Sequence, residues 1–401
     1  MKTTTREKSG GIDDLVPRLK DQGYESERVS RRRAWIEERT GVALRHVGSF
    51  SVDSELMRGN IENPVGVAQI PLGIAGPILV NGQYAQGNYY IPLATTEGAL
   101  IRSYERGMVA LTRAGGVDAR VVADENQISP SFFFQSITGA HSFTEWIPKH
   151  FEQIKEQAES TTRHGKLRSL RCHQIARQVI VNFGFDTGDA QGMNMIVKAS
   201  DRACRWIVEQ LPEASYFQFS GMCSEKRPSG YLLSRGKGKY VTAGALLPPP
   251  ILKAYLHCTA RQLYDVWHST LVGHLAANAV GYNGQFANGL TAMFIALGQD
   301  VANVVNSSCG ITNFELVEGG LYVSLTLPAL SVATVGGGTA LGTQRECLEM
   351  IGCYGSGRSR KLAEIVAAAL LGGEISMGAA IASGEFAAAH EYYGRNRPGQ
   401  N

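Results

Sequence analysis

The chain has 401 residues, of which 44% are hydrophobic and 19% charged, and its net charge is +3. That length accommodates two or three domains with a substantial core, and so small a charge argues neither for nor against nucleic acid. Seven cysteines stand singly at 172, 204, 223, 258, 309, 347 and 353 without a C-x-x-C pair, which argues against a disulfide framework and a zinc ribbon.

The opening MKTTTREKSGG is polar and has no apolar core, so no signal peptide is expected and a reducing cytoplasm is the default. Residues 1–50 read as a small, basic N-terminal helical segment. Within it Ser30 would cap a helix to Thr40, Gly41 would end it, and Arg31, Arg32 and Arg33 would form a solvated face. From Ile61 to Gly76, apolar residues alternating with Pro and Gly predict short extended segments and tight turns. Thr95 or Thr96 would then cap a helix carrying Leu100, Ile101, Met108 and Leu111, stopped by Gly115 and Gly116. Glu97 falls in its first turn. There it either complements the helix dipole, which spacing alone favours, or serves as a catalytic acid. Asp118–Asp124 predicts a strand bearing Arg120.

Between 122 and 219 strand candidates (131–134, 174–185, 216–219) alternate with helices (141–158, 190–211), the order of a small split βαβ domain. Its DTGDAQGMNM run is an Asp/Gly turn feeding a helix N-terminus, where free N–H groups favour a phosphate; an ordinary turn capped by Asp189 reads equally well. Ser224-Glu225-Lys226-Arg227 is a polar cluster ended by Pro228. It is a surface turn by default, or else holds a lysine able to stabilise an oxyanion.

Val266–Gln299 carries no formal charge. His268, His274, Asn278, Asn283, Gln285 and Asn288 interrupt it, so it predicts a long buried helical region, not a membrane span. Asp300 follows directly and is read first as a surface residue at a helix end, second as a half-buried acid. Gly319–Pro328 predicts a strand. TVGGGTALG (334–342) precedes a helix but lacks the second strand that a dinucleotide fingerprint needs. Lys361–Ala387 is Ala-rich and helical, and His390 is the last histidine.

Taken together and in order, Glu62-Asn-Pro-Val-Gly66, PLGIAGP, ATTEGAL, ARVVAD, GDAQGMNM, SGMCSEKRP, GQDVANVVNSS, TVGGGT and terminal His390 with Arg395 resemble the 3-hydroxy-3-methylglutaryl-coenzyme A (HMG-CoA) reductase family. The spellings resemble the soluble catalytic portion of its first class, from about Ile61 to Arg397. The resemblance implies an α+β fold. A large domain (51–121 and 220–401) with a long central helix, equated with the uncharged region, would carry an inserted ferredoxin-like NADP-binding domain (122–219). It implies reduction of HMG-CoA to mevalonate and CoA with two NADPH, for isoprenoid synthesis.

The resemblance also implies roles. Lys226 would stabilise the developing alkoxide and Glu97 would donate protons, with burial and nearby Asp300 favouring its protonated form. Asp300 would couple to both. His390 would protonate the CoA thiolate. Asp189, Gln191, Gly192, Met193, Asn194 and Arg395 would contact the nucleotide, with Thr162, Arg163 and His164 at its 2′-phosphate. Ser103 and Arg106 would contact CoA. Arg120, Ser220, Glu225, Arg227 and Asn288 would contact the acyl part. No metal is implied. A cytoplasmic homodimer with active sites shared between subunits, or a tetramer, is expected, with no membrane or nucleic-acid partner.

Several residues depart from the family pattern. Glu225 stands for an Asp, Arg227 for a Lys, Glu105 for an Asn, Gln285 for a His and His257 for a Lys. Other readings are a paralogue using another acyl-CoA and a silent CoA-binding subunit, the latter disfavoured because no catalytic residue is lost. A Rossmann dehydrogenase built on 334–342 lacks its βαβ context.

Overall fold

The computed structural model describes residues 15–17, 23–387 and 392, and groups them into two compact units. The first comprises the described residues up to Ile70 together with Ala340–Thr343. Its helix α1 (Ser26–Thr40) starts earlier than the sequence suggests. Glu25 precedes it without a side-chain cap, so Ser30 is no cap, while Gly41 closes it in the left-handed conformation (φ 71°) as expected. Arg32 does not belong to a solvated face. Its side chain is fully buried and donates to the carbonyls of Gly23 (2.8 Å), Pro64 (3.2 Å) and Pro17 (3.3 Å), which turns a charge into a lock on the surrounding loops.

The second unit holds the rest. It begins with β1 (Leu72–Gly82), β2 (Gln86–Ala94), α2 (Leu100–Arg113) and β3 (Val117–Ile128). Next come β4 (Ser131–Phe133), α3 (Ile137–Lys149), α4 (Phe151–Glu159), β5 (Lys166–Ile175), β6 (Gln178–Asp186), α5 (Met193–Gln210) and β7 (Ser215–Phe217). The chain continues through α6 (Gly230–Arg235), β8 (Gly238–Leu247), α7 (Pro249–Tyr255), α8 (Ala260–Ala276), α9 (Phe286–Ala296) and α10 (Val304–Ser307). It ends with β9 (Ile311–Val317), β10 (Gly320–Leu330), α11 (Gly342–Met350) and α12 (Ser359–Ala382).

The strand read as 174–185 is the second arm of a hairpin, β5–β6. With it the order is β-α-β-β-α-β and the sheet runs β7-β4-β6-β5, all antiparallel, which is the split βαβ arrangement. Phe132, Phe143, Val181, Phe183, Ile196 and Ile207 lie in its separate core. The larger sheet runs β3-β8-β10-β9 antiparallel, with β1 parallel to β3 and β2 outside β1. One strand serves both sheets, since residues 118–125 of β3 pair with β8 and residues 126–128 pair with β6.

The long core helix is α12, not the uncharged stretch. Nearly all of its 24 residues are buried, and Gly107 of α2 meets Gly372 so closely that a Cβ at 107 would overlap the Gly372 carbonyl. It is long and apolar enough to cross a membrane, yet 83% of its apolar window is buried inside the protein. Its acids are satisfied there: the Glu364 carboxylate accepts N–H groups of Gln83 (3.1 Å), Tyr84 (2.8 Å) and Ala85 (2.7 Å) of the β1–β2 turn. The expected helix over 266–299 breaks between α8 and α9. Asn278 (φ 51°) and Gly281 (φ 114°) take backbone conformations that end a helix, and the Asn283 amide donates to the Ser308 and Gly310 carbonyls. Val272 and Leu275 of α8 are more than half exposed, so the uncharged run is not a buried one.

Candidate active site

Lys226 lies on the loop between β7 and α6. The Ser220 N–H fastens this loop to the Ser129 carbonyl (2.9 Å), and the Lys226 N–H donates to Ser224 Oγ (3.3 Å). The Lys226 ammonium pairs with Asp300 Oδ2 and reaches Asn303 Oδ1 at 3.5 Å. The other Asp300 oxygen caps the turn after α9 by accepting the Ala302 N–H (3.1 Å). Asp300 is therefore a fixed anion with one oxygen free for the lysine, and both side chains are almost half exposed.

Glu97 is not in the first turn of a helix. α2 starts at Leu100, after Ala99 takes a left-handed conformation (φ 74°), and Thr95 Oγ1 accepts the Glu97 N–H (3.0 Å). Glu97 is exposed on an open cleft of about 320 Å³ that Leu72, Gly73, Thr95, Ala99 and Arg102 also line, so burial does not shield it as the sequence suggested. Its Oε1 accepts from the Asn288 amide (3.4 Å). Asn288 sits near the start of α9 and Asp300 lies beyond its end. The eight helical steps from Asn288 to Ala296 alone rise about 12 Å. Within one chain, then, Glu97 pairs with Asn288 near the start of α9 and Lys226 pairs with Asp300 beyond its end.

A second cluster gathers on α12. The Arg106 guanidinium donates to Ser376 Oγ (3.0 Å) and the Ser376 carbonyl (2.6 Å) and pairs with Glu385 (3.3 Å). Ser103 Oγ lies 3.3 Å from Ser376 Oγ. Glu385 also holds His257 (3.0 Å), and this hydrogen bond, with Arg106 adding, keeps its carboxyl below the usual range. Glu105 pairs with Arg102 (2.7 Å), which offsets the negative charge it adds beside Arg106. Arg120 stands apart, donating to the Asn81 (2.8 Å) and Ala119 (2.6 Å) carbonyls, and Arg227 is exposed. The Gln285 N–H donates to Glu374 (2.7 Å) alongside that of Gly284 (2.9 Å). Burial in α12 pushes the Glu374 carboxyl up to about 7 despite these bonds.

The turn before α5 has the form a phosphate site needs. Gly192 (φ 78°) ends it, a Cβ there would run into Thr187, and the first turn of α5 holds no acidic residue and no side-chain cap. Gln191 offers its carbonyl to the Asn126 amide, and Met193 and Asn194 open the helix. Gly165 packs against Met195, which brings the Thr162–Gly165 turn to the same helix end. Thr162 Oγ1 closes that turn by accepting the Gly165 N–H (3.0 Å), and Arg163 and His164 are exposed. The Asp189 carboxylate neither caps α5 nor faces this space. It accepts the N–H groups of Gly357 (2.6 Å) and Ser359 (3.1 Å) at the start of α12. Burial would raise its pKa, but these bonds outweigh it and hold the group below the usual value. His390 and Arg395 lie outside the described residues.

The sequence reading missed Ser376 and Lys237. Lys237 is a buried ammonium bound to the Gln127 and Cys223 carbonyls and to Glu225. The run RGKGK gives no sign of it, because Gly-flanked lysines read as a solvated turn.

The family model for hydroxymethylglutaryl-coenzyme A reductase matches residues 28–395. The 3-hydroxy-3-methylglutaryl-coenzyme A reductase of Methanocaldococcus jannaschii is 44% identical, over 91% of this chain and 92% of that protein. That of Aeropyrum pernix is 41% identical over 98% and 99%. In fold the chain is similar to the class II 3-hydroxy-3-methylglutaryl-CoA reductase of Streptococcus pneumoniae solved with NADPH, with TM-score 0.68 and 21% identity over 88% of this chain and 96% of that one. A match spanning nearly every element described above leaves one assignment: the chain belongs to the hydroxymethylglutaryl-coenzyme A reductase family.

Proposed function

We propose that this protein reduces (S)-HMG-CoA to mevalonate and free CoA, consuming two NADPH, in the supply of isoprenoid precursors. Family membership over almost the full chain supports the reaction. The observation that carries the chemistry is the pair between Asp300, beyond α9, and Lys226, on a loop tied to the Ser129 carbonyl.

NADPH, when bound, supplies hydride first to the thioester carbonyl carbon and then to the aldehyde carbon. The residues present fit it: the α5 N-terminus offers free N–H groups to a phosphate, and Arg163 and His164 on the adjoining turn suit a further phosphate, the 2′ group. Gln191, Gly192, Met193 and Asn194 form the cradle, Thr162 shapes the neighbouring turn, and Asp189 serves by fastening the cradle to α12. Each reduction develops negative charge on the substrate oxygen. The Lys226 ammonium, oriented by Asp300 and Asn303, neutralises it, and Glu97 delivers the proton. His390 protonates the departing CoA thiolate, and Arg395 assists nucleotide binding. Ser103 and Arg106 hold CoA, while Ser220, Arg227, Arg120 and Asn288 contact the acyl group, and Glu225, its carboxylate turned to Lys237, acts from behind the loop. Residues 122–219 are the nucleotide domain, 51–121 with 220–401 the substrate domain, and 1–50 a small N-terminal helical segment.

The two catalytic pairs at opposite ends of α9 favour a homodimer, or a tetramer of such dimers. In it Glu97 and Asn288 of one subunit complete the site around Lys226 and Asp300 of the other. We assign it to the first class on its ATTEGAL and GMNM spellings. A cytoplasmic location fits the singly placed, free cysteines.

NADPH oxidation on adding HMG-CoA, with Lys226→Ala in parallel, tests the reading. Mevalonate and oxidised cofactor in a 1:2 ratio are expected, with turnover lost in the variant. HMG-CoA binding without turnover by the unaltered protein would overturn it.

A further inference from the structure

We infer that Lys237 is a positioning residue for the reduction. It clamps the loop that carries Lys226 onto the strand that also holds the cofactor turn. The inference rests on the role proposed for Lys226.

Lys237 starts β8's approach and its side chain is only 2% exposed. A buried ammonium is costly unless every proton finds an acceptor. Lys237 has three: the Gln127 carbonyl at 2.7 Å, the Cys223 carbonyl at 2.9 Å and Glu225 Oε2 at 3.3 Å. Two of them lie in the lysine loop, at the third residue before Lys226 and at the one immediately before it. The remaining acceptor is on β3. This clamp draws residues 223 and 225 inward while the Lys226 side chain turns outward to Asp300 and Asn303.

The same end of β3 reaches the cofactor side. The Asn126 amide holds the Gln191 carbonyl of the turn before α5. The Asn182 amide, fully buried, bonds Gln127 Oε1 (3.1 Å) and Ser129 Oγ (2.9 Å), and Ser129 Oγ lies 3.0 Å from Cys223 Sγ. The Ser129 carbonyl takes the Ser220 N–H (2.9 Å). Residues 126, 127 and 129 thus form one rail. It fixes the cofactor turn on one side and, through Lys237, the catalytic-lysine loop on the other. An error of about an ångström between these two would misplace the ammonium relative to the carbonyl receiving hydride.

Glu225 acquires a meaning in this arrangement. With Lys237 present its carboxylate is committed inward. Without Lys237 it would be a partly buried anion beside Lys226, free to compete with Asp300 for that ammonium.

The test compares Lys237→Met, Lys237→Met/Glu225→Gln and Lys226→Ala with the unaltered full chain. NADPH binding is followed by fluorescence titration, and kcat and KM for HMG-CoA by NADPH oxidation. Lys237→Met is expected to bind NADPH within about threefold of the parent and to lose roughly 30-fold or more in kcat at little change in KM. The double variant is expected to regain at least about fivefold of that kcat, because the competing anion is gone. A folded Lys237→Met with parental kcat, or a double variant no better than the single one, would overturn the inference. Activity retained by Lys226→Ala would instead remove the reading beneath it. If Lys237→Met does not fold, Glu225→Ala keeps the clamp's two carbonyls. It is then expected to lower kcat several-fold, and a rise in KM with kcat unchanged would assign Glu225 to direct substrate contact and overturn the clamp.

Discussion

On the proposed reading, Lys226 and Asp300 are an exposed ion pair that matters for chemistry and little for folding. Both side chains are close to half exposed, so their attraction is screened and contributes at most ~1 kcal/mol to stability. The pair still fixes where the ammonium sits, because Asp300 is itself held by the Ala302 N–H. Asp300→Asn should therefore lower kcat by roughly 10²-fold while shifting the unfolding midpoint in denaturant hardly at all. A variant with parental kcat would remove Asp300 from the machinery. At this scale the sequence was informative about identity and poor about setting. The polar cluster around Lys226 and the acid after an apolar run were both visible as candidates. That Glu97 would precede its helix and stay exposed was not, since nothing in ATTEGAL announces a left-handed alanine at 99. Lys237 was invisible for a related reason: its three partners are 110, 14 and 12 residues away, and two of them are carbonyls of unremarkable residues.

The core elements meet through small residues and buried acids. Where α2 crosses α12, a Cβ on Gly107 would overlap the Gly372 carbonyl, which cannot move without bending a buried helix. Gly107→Ala should destabilise the fold by about 2–3 kcal/mol, although alanine is the better helix former, and chemical denaturation would register the loss. Unchanged stability would mean that the two helices do not pack this closely. Glu374 offers a second test. Burial raises its carboxyl from an ordinary 4.5 to about 7, while the Gly284 and Gln285 N–H groups pull the other way. Between those values the folded protein binds a proton that the unfolded chain releases. This contribution is present at low pH, falls as pH rises through the window, and is gone above about 7. Relative to the parent, Glu374→Gln should gain on the order of 2–3 kcal/mol between pH 5 and pH 8, because it carries no titrating group there. A difference that stays flat with pH would contradict a buried, titrating Glu374. These elements also mark how far periodicity can be read. The Ala-rich helix near the C-terminus was legible because its pattern is uninterrupted. The 266–299 run misled because absence of charge is a weak proxy for burial: Asn278 and Gly281 broke the helix, and α8 kept Val272 and Leu275 exposed.

For the molecule as a whole, the proposed shared site rests on the spacing that α9 sets. Glu97 with Asn288 lies at one end and Asp300 with Lys226 at the other, and the helix from Asn288 to Ala296 rises about 12 Å. On the proposed reading a proton donor and an oxyanion partner must both reach one carbonyl oxygen, and a second copy would bridge the distance. If the sites are shared in this way, Glu97→Gln and Lys226→Ala are each inactive alone but complementary. Their mixed dimer has one site that lacks both groups and one site that has both. Random pairing makes half of the dimers mixed, so co-expression of the two variants should restore about a quarter of the parental kcat. Should Glu97 and Lys226 instead act within one subunit, every site in every pairing would lack one of them and no activity would return. The same experiment reads the oligomer and the catalytic assignment together, because restored turnover requires both Glu97 and Lys226 to be essential and requires them to come from different chains.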